Sequence, residues 1–362
     1  MRASKKIVII QDYLRNGGTE RQSLHLAGAF AEAGHEVTLL TFRPGGALAP
    51  HLKSEISNFK FLSLQPFDTH LDFFAPRLRA AIRRLAPDII LCMGRMANCK
   101  AGRLARAFPC VAVLSTMRTG KKLPRAYIRS LHATRHTIAN SHEAARLLRD
   151  RYAVPAEKIT VIHNAIVIPP SGSEISNLKS LPSEARSLTI LPLRLLCVAM
   201  FRPEKNHREL LELFSKLPAT PAVDLHLIGD GSELAPCRAL AQKLNIADRV
   251  HFHGYISNPA PFYQEADIAV LTSRTESLPN FLVEAHAHGI PSIAYAVGGV
   301  AECGGIAIPP NAPPAFLAAL ERLIASPAAR AAESARVAAY AREHFSRETQ
   351  LRRYFALFEN LL

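Results

Sequence analysis

The sequence predicts an α/β protein built as two βαβ domains. Three observations carry this. Short apolar runs alternate with helix-period segments along most of the chain, the pattern of a parallel sheet with crossover helices. The alternation stops over residues 167–188 and then restarts. The chain has 362 residues, room for two domains at roughly 150 residues each.

The first strand is expected at Ile7–Gln11. Gly17-Gly18 makes a turn, Thr19–Ala33 a helix that Gly34 stops, and Glu36–Phe42 the second strand. Further strands are expected at Lys60–Leu64, Asp88–Met93, Cys110–Ser115, Thr137–Asn140 and Ile159–His163, with helices at Phe74–Leu85 and Ser141–Arg151. Residues 167–188 are rich in Pro and Ser without apolar period and read as a linker. Strands follow at Leu193–Met200, Asp224–Ile228, Arg249–His253, Ala266–Leu271 and Pro291–Tyr295. Helices are expected at Asn206–Lys216, Ser232–Lys243 and Pro279–His288, and from Pro313 to Leu362 with a break near Ser326-Pro327.

Composition narrows the classes. The chain is 48% apolar and 20% charged, as in ordinary globular proteins. No apolar run reaches the ~20 residues of a membrane span, and the N-terminal run is short for a signal peptide, so a cytosolic protein is expected. The six cysteines form no CxxC pair, and no zinc spacing is evident. Most lie in apolar runs and read as buried thiols. The net charge is +14, and residues 1–185 carry all of it, with 27 basic and 13 acidic residues. Such a block attracts polyanions: an anionic membrane face, a phosphorylated acceptor or nucleic acid. A merely soluble basic surface explains it equally well.

The chemistry concentrates in the second half. Glu276-Ser277-Leu278-Pro279-Asn280 runs from a strand end into a helix that carries Glu284. Ligands bind at the carboxyl edge of such sheets. Pro279 suits the first helical position, and the amides of Asn280 and Phe281 with the helix dipole make a phosphate site. Glu284 can accept two hydrogen bonds from ribose hydroxyls, and Glu276 can accept sugar hydroxyls. Two glutamates flanking an ordinary helix would be the plainer reading, but the strand–turn–Pro–helix setting is more specific than the spacing alone. Arg202 and Lys205 follow the strand Leu193–Met200. Cations at a helix start are otherwise unfavourable, yet they neutralise a diphosphate leaving group. Gly229-Asp230-Gly231 and Gly298-Gly299 are turns where backbone can approach a ligand. Gly17-Gly18 opens a helix but lacks the third glycine of a dinucleotide fingerprint and the lysine of a P-loop. A nicotinamide cofactor or ATP is thus poorly supported. No D-x-D metal pair occurs, nor any G-x-S-x-G.

Together these residues resemble glycosyltransferase family 4, of the GT-B fold, over nearly the whole chain and most strongly from Val198 to Glu302. Glu276 and Glu284 match its E-x7-E motif, Arg202 and Lys205 its basic pair, Gly229–Gly231 its G-D-G turn, Gly298–Glu302 its G-G-x-x-E segment and Gly17–Arg21 its N-terminal glycine loop. Two positions depart: Asn164-Ala165 replaces an Asn-Gly, and no His follows Thr116-Met117-Arg118.

The resemblance implies two Rossmann-like domains facing across a cleft. Residues 1–168 would form the acceptor domain, 169–188 a hinge and 189–345 the nucleotide-sugar domain, with 346–362 packed back on the first. It implies retention of anomeric configuration with no metal and no cofactor. Arg202, Lys205 and Glu276 would serve catalysis. Gly17, Gly18, Gly229, Asp230, Ser277, Leu278, Pro279, Asn280 and Glu284 would bind the donor. The expected reaction moves a sugar from a UDP- or GDP-sugar to a glycan or lipid-linked acceptor in cell-surface polysaccharide, lipopolysaccharide or glycolipid synthesis. A UDP-sugar 2-epimerase of the same fold is the alternative. Arg118, Lys121, Lys122 and Arg125 are the acceptor-side or membrane candidates. With Leu123, Tyr127, Ile128 and Leu131 they could seat a helix on the inner face of the cytoplasmic membrane, although a helix packed on its own sheet is commoner. Nucleic acid ranks last, for want of any recognition motif.

Overall fold

The computed structural model describes residues 4–52, 59–166, 192–218 and 222–362. The expected linker at 169–188 lies outside them. The chain divides into two compact units, 1–165 with 347–362, and 166–346.

The first unit holds a seven-stranded parallel sheet in the order β3-β2-β1-β4-β5-β6-β7. Its strands are β1 (Lys6–Gln11), β2 (Glu36–Thr41), β3 (Phe59–Ser63), β4 (Ile89–Cys92), β5 (Ala112–Met117), β6 (His136–Ala139) and β7 (Ile159–Val161). The helices are α1 (Gly18–Glu32), α2 (Leu78–Leu85), α3 (Arg95–Ala107), α4 (Arg125–Ala133) and α5 (His142–Asp150). The inner positions of β1 and all of β4 are apolar because helices cover both faces. Ile7 and Ile9 face a core with Leu26 and Phe30, while Val8 and Ile10 face Ile82, Ile90 and Leu104. The helix expected from Phe74 begins only at Leu78. Pro76 disfavours helical backbone in the residue before it, and Arg77 takes a left-handed φ of 55°.

The second unit holds a six-stranded parallel sheet in the order β10-β9-β8-β11-β12-β13. Its strands are β8 (Leu193–Val198), β9 (Val223–Ile228), β10 (Val250–Gly254), β11 (Ile268–Leu271), β12 (Ser292–Tyr295) and β13 (Ile306–Ile308). Its helices are α6 (His207–Phe214), α7 (Leu234–Lys243), α8 (Ala260–Glu265), α9 (Asn280–Ala287), α10 (Pro313–Ala325) and α11 (Pro327–Phe345). In both sheets the strand order reverses once, between β1 and β4 and between β8 and β11. Such reversals open a crevice at the carboxyl ends of the strands.

The tail breaks twice, at Ser326 and again at Ser346. The last helix, α12 (Arg347–Leu361), belongs to the first unit. Tyr354 and Phe358 are buried against Phe30, whose ring meets that of Tyr354 edge-on at 5.4 Å. Gln350 donates to the His163 carbonyl at 2.9 Å. Each such buried aromatic contributes ~1.5–3 kcal/mol, enough to hold a helix that is marginal alone. Among the described residues no helix is long and apolar enough to cross a membrane.

Candidate functional site

Four turns meet at the carboxyl ends of β9, β8, β11 and β12, which are neighbours in the second sheet. After β8 the chain turns through Phe201 and Arg202 into a short 3-10 segment ending at Lys205. The Phe201 amide donates to the Asp230 carbonyl at 2.9 Å, and the Glu233 amide donates back to the Phe201 carbonyl at 3.0 Å. The basic turn and the Gly229–Gly231 turn are therefore joined through their backbones. Gly229 needs a φ of 145°, and a Cβ there would lie 2.0 Å from the Ala199 carbonyl oxygen.

The loop after β11 joins the same cluster. The Arg274 amide donates to the Glu204 carbonyl at 2.8 Å. Lys205 Nζ donates to Glu276 Oε1 at 2.6 Å, and Ser273 Oγ donates to the same oxygen at 2.7 Å. The Glu276 side chain is 8% exposed and that of Lys205 24%. Both partners use Oε1, so Oε2 is left to accept hydroxyls. The turn after β12 backs this loop. The Gly299 amide donates to the Ser277 carbonyl at 2.8 Å. Gly298 has φ 55°, and any Cβ there would lie 2.0 Å from the Glu276 carbonyl oxygen.

Helix α9 starts one residue later than the sequence indicates. Pro279 is its N-cap rather than its first residue, with extended backbone and a carbonyl that accepts from the Leu282 amide at 3.2 Å. The Asn280 and Phe281 amides precede that first intrahelical bond. Leu278 is buried and packs in the core. Glu284 Oε2 accepts from the Tyr263 hydroxyl at 2.6 Å, which fixes the carboxylate on the helix. Tyr263 is itself held in a stack with His288, ring centroids 5.2 Å apart.

Arg202 is exposed at its turn, as is Asp230, whose carboxylate accepts from the Gly231 amide at 2.7 Å. His207 lies behind the basic turn, stacked on Phe201 at 4.1 Å. Burial, aided by the Lys205 charge, pushes its pKa down to about 4. It stays neutral at pH 7 and adds no cation. Burial pushes the neighbouring Cys197 thiol up to about 12, so it is no nucleophile.

Sequence reasoning missed Ser273 and Tyr263. Ser273 sits at the end of a strand expected from its apolar run, where a hydroxyl facing the crevice was a readable signal. Tyr263 lies in α8, a helix of six residues that no periodicity announces.

The remaining candidates lie in the first unit. Gly17 caps α1 and Gly18 opens it, at the carboxyl end of β1. Arg118 is engaged structurally: it donates to Asn164 Oδ1 and, at 3.4 Å, to the Tyr354 hydroxyl. It thus ties α12 to the sheet. Lys121, Lys122 and Arg125 are exposed. Of the four apolar partners expected for a membrane-seated helix, Ile128 is half-buried and the other three are not available to lipid. Leu123, Tyr127 and Leu131 are buried with Met117, Ala139 and Leu148. Their helix, α4, spends its apolar face on its own core.

The cysteines are all unpaired, and Cys92, Cys197, Cys237 and Cys303 are buried. Cys110 is exposed, an exception to the expected burial.

Residues 16–168 match the family model Glycosyltransferase Family 4, and residues 192–344 match Glycosyl transferases group 1. Among curated relatives, the Vi polysaccharide biosynthesis protein VipC/TviE of Salmonella typhi is 30% identical over 46% of this chain, but over only 29% of its own length. The lipopolysaccharide core biosynthesis glycosyltransferase LpsE of Rhizobium meliloti is 27% identical over 77% of this chain and 76% of its own. Among solved structures, HepE of Anabaena in complex with UDP superposes with a TM-score of 0.82 at 18% identity, covering 98% of this chain and 100% of that one. At that identity the likeness shows the fold, which is that of the GT-B glycosyltransferases.

Proposed function

This chain belongs to glycosyltransferase family 4, and on that premise we propose that it moves a hexose from a UDP-sugar to a glycan or lipid-linked acceptor, with retention and without a metal in the transfer step. The observation that carries the reading is the joined set of turns around the Lys205–Glu276 pair at the strand-order reversal of the second sheet. A basic turn, a held carboxylate and a helix start at one sheet edge support a nucleotide-sugar site.

In this reading Arg202 and Lys205 neutralise the charge that develops on the departing diphosphate. The start of α9 takes phosphate oxygens on its amides. Glu284, steadied by Tyr263, accepts the ribose hydroxyls. Glu276 accepts hydroxyls of the sugar, and its bond to Lys205 keeps sugar and diphosphate sites in register. With cations doing the electrostatic work, no divalent ion is required at the leaving group. UDP is favoured over GDP because HepE, of the same fold, was solved with UDP. The relatives LpsE and VipC/TviE are named for lipopolysaccharide core and Vi polysaccharide synthesis, which supports a cell-surface glycan acceptor. The exposed Lys121, Lys122 and Arg125 would meet an acidic acceptor or lipid headgroups by charge alone.

A thermal-shift series with UDP, GDP and their sugars tests this, since ligand binding to the folded state raises Tm. Stabilisation by UDP and a UDP-sugar, lost in Lys205→Ala, is expected. No shift with any nucleoside diphosphate would remove the reading. Incubating a UDP-sugar without acceptor separates transfer from epimerisation: an epimerase accumulates the 2-epimer, a transferase does not.

A further inference from the structure

Away from the donor turns, four metal-ligating side chains share one face of the β9–β10 pair. Along β9, Val223, Leu225 and Leu227 are buried in the core while Asp224 and His226 point to the opposite face. On the edge strand β10, His251 stands directly opposite His226 in register, and His253 follows two residues on. All four side chains are half-buried, at a sheet edge where imidazole and carboxylate groups meet both the core and water.

Their geometry is close. Asp224, His226 and His251 each offer a ligand atom, and these atoms all lie within 4.8 Å of one another. His251 Nε2 is 3.5 Å from Asp224 Oδ2, and His226 Nδ1 is 3.0 Å from His253 Nε2. Bonds of ~2.0–2.1 Å in a tetrahedron put neighbouring donor atoms about 3.3 Å apart, so only small side-chain adjustments are needed. We propose that Asp224, His226 and His251 bind one divalent transition-metal ion of the Zn2+ class, with His253 orienting His226. The ion would pin the edge strand β10 to β9.

The chemistry of the neighbourhood agrees. Imidazole nitrogens and a carboxylate oxygen are the donor set that Zn2+-class ions take. Second-ring hydrogen bonds of the His226–His253 kind hold a ligating histidine in place. Arg194, opposite Asp224 on β8, is the nearby cation, and it is engaged by Glu265. His251 is 39% exposed, which gives an ion a route in. The cluster lies along the strands, whereas the donor turns lie beyond their carboxyl ends. The site therefore adds stability to the second unit and takes no part in transfer. Sequence spacing hides it, because D-x-H and H-x-H sit on two strands 25 residues apart.

The test uses the full chain with no affinity tag. Zn2+ titrated against a chromophoric chelator is expected to bind at one ion per chain with micromolar or tighter Kd. At a hundredfold excess over Kd, Tm should rise by at least ~4 °C. Co2+ should give the intense visible bands of a low-coordinate site. His226→Gln and His251→Ala should each weaken binding by tenfold or more and remove the Tm rise, with unchanged far-UV circular dichroism. His253→Ala should weaken it ~10–100-fold. His132→Ala, exposed on α4, should change nothing. No stoichiometric binding by the wild-type chain overturns the proposal, as does binding that survives His226→Gln and His251→Ala together. Absence of the wild-type Co2+ bands overturns the proposal even if a variant fails to fold.

Discussion

Lys205 has two partners in the proposed reaction, one in the resting protein and one in the ligand, and a mutant cycle separates them. In the resting protein it bonds Glu276 Oε1 at 2.6 Å, beside Ser273 Oγ at 2.7 Å. A charge-assisted hydrogen bond contributes ~1.5–3 kcal/mol. Breaking a fully buried ion pair costs ~3–5 kcal/mol, but Lys205 is 24% exposed, so water relieves part of that. Lys205→Ala should therefore destabilise the fold by about 2 kcal/mol. Glu276→Ala should cost less, because an ammonium at that exposure recovers water. The double variant should be more stable than the two losses summed. Ligand binding divides differently. A unit charge ~4 Å from a phosphate oxygen is worth ~4 kcal/mol at an effective dielectric of ~20. Allowing half of that for desolvation, Lys205→Ala should weaken UDP ~30-fold or more. Glu276→Ala leaves the cation in place and frees it, so UDP should bind within about threefold of wild type, while the extra affinity of the UDP-sugar is lost. Calorimetry with UDP and a UDP-sugar on the four proteins, with urea unfolding alongside, reads every term. If Lys205→Ala binds UDP like the wild type, or Glu276→Ala loses UDP just as severely, the division of roles is wrong.

Gly298→Ala places a Cβ 2.0 Å from the Glu276 carbonyl oxygen at a φ of 55°. It should shift that loop by about an ångström and lower kcat/KM ~100-fold while Tm falls only a few degrees. Tyr263→Phe removes the hydroxyl that holds Glu284 Oε2 at 2.6 Å; UDP affinity should fall ~5- to 10-fold by calorimetry, consistent with one neutral-to-charged hydrogen bond. His286 is buried, its Nδ1 2.9 Å from the Cys303 carbonyl and its Nε2 2.7 Å from Ser292 Oγ. Burial lowers its pKa to about 4 from 6.5. Between those values the unfolded chain binds more protons, so stability is full above pH 6.5 and is lost as pH falls toward 4, by up to ~3 kcal/mol. Urea midpoints at pH 5 and 7 should differ less in His286→Gln than in the wild type.

The two sheets were legible because their central strands are buried on both faces, which makes β1, β4, β11 and β12 short, mostly apolar runs bounded by turns. That the candidate donor residues share one sheet edge was legible for a related reason. Parallel topology forces every strand-to-helix turn to one edge, so Arg202, Gly229, Glu276 and Gly298 had to share it once their strands were placed. What was not legible depends on side chains meeting across elements. The Lys205–Glu276 bond joins residues 71 positions apart. Tyr263 reaches Glu284 from a helix too short to show a period. The Pro279 cap differs from the expected first-turn position by one residue, a difference set by backbone torsion rather than residue type. Arg118 shows the converse. Its charge marked it as an acceptor-side candidate, yet its hydrogen bonds run to Asn164 and Tyr354, a destination set by where α12 docks.

The two sheets reverse their strand order in the same way, so topology alone offers two nucleotide sites, and the side chains decide between them. At the reversal in the first sheet, the Asp12 carboxylate accepts from the Met96 amide at 2.8 Å and the Ala97 amide at 2.7 Å. These are the amides at the start of α3, where a phosphate would bind. Gly94 lets the carboxylate in, since a Cβ there would lie 2.3 Å from Asp12 Oδ1. Burial raises Asp12 to about 6, so at neutral pH it is mostly an anion already seated on the helix dipole. A diphosphate arriving there would meet a like charge and spent donors. At the reversal in the second sheet the sign is opposite: Lys205 and Arg202 flank the turn, and the Glu276 carboxylate is bonded to the lysine and to Ser273. One fold unit used twice thus presents one anion slot filled by its own aspartate and one flanked by cations, which supports the proposed seat of the donor in residues 192–346.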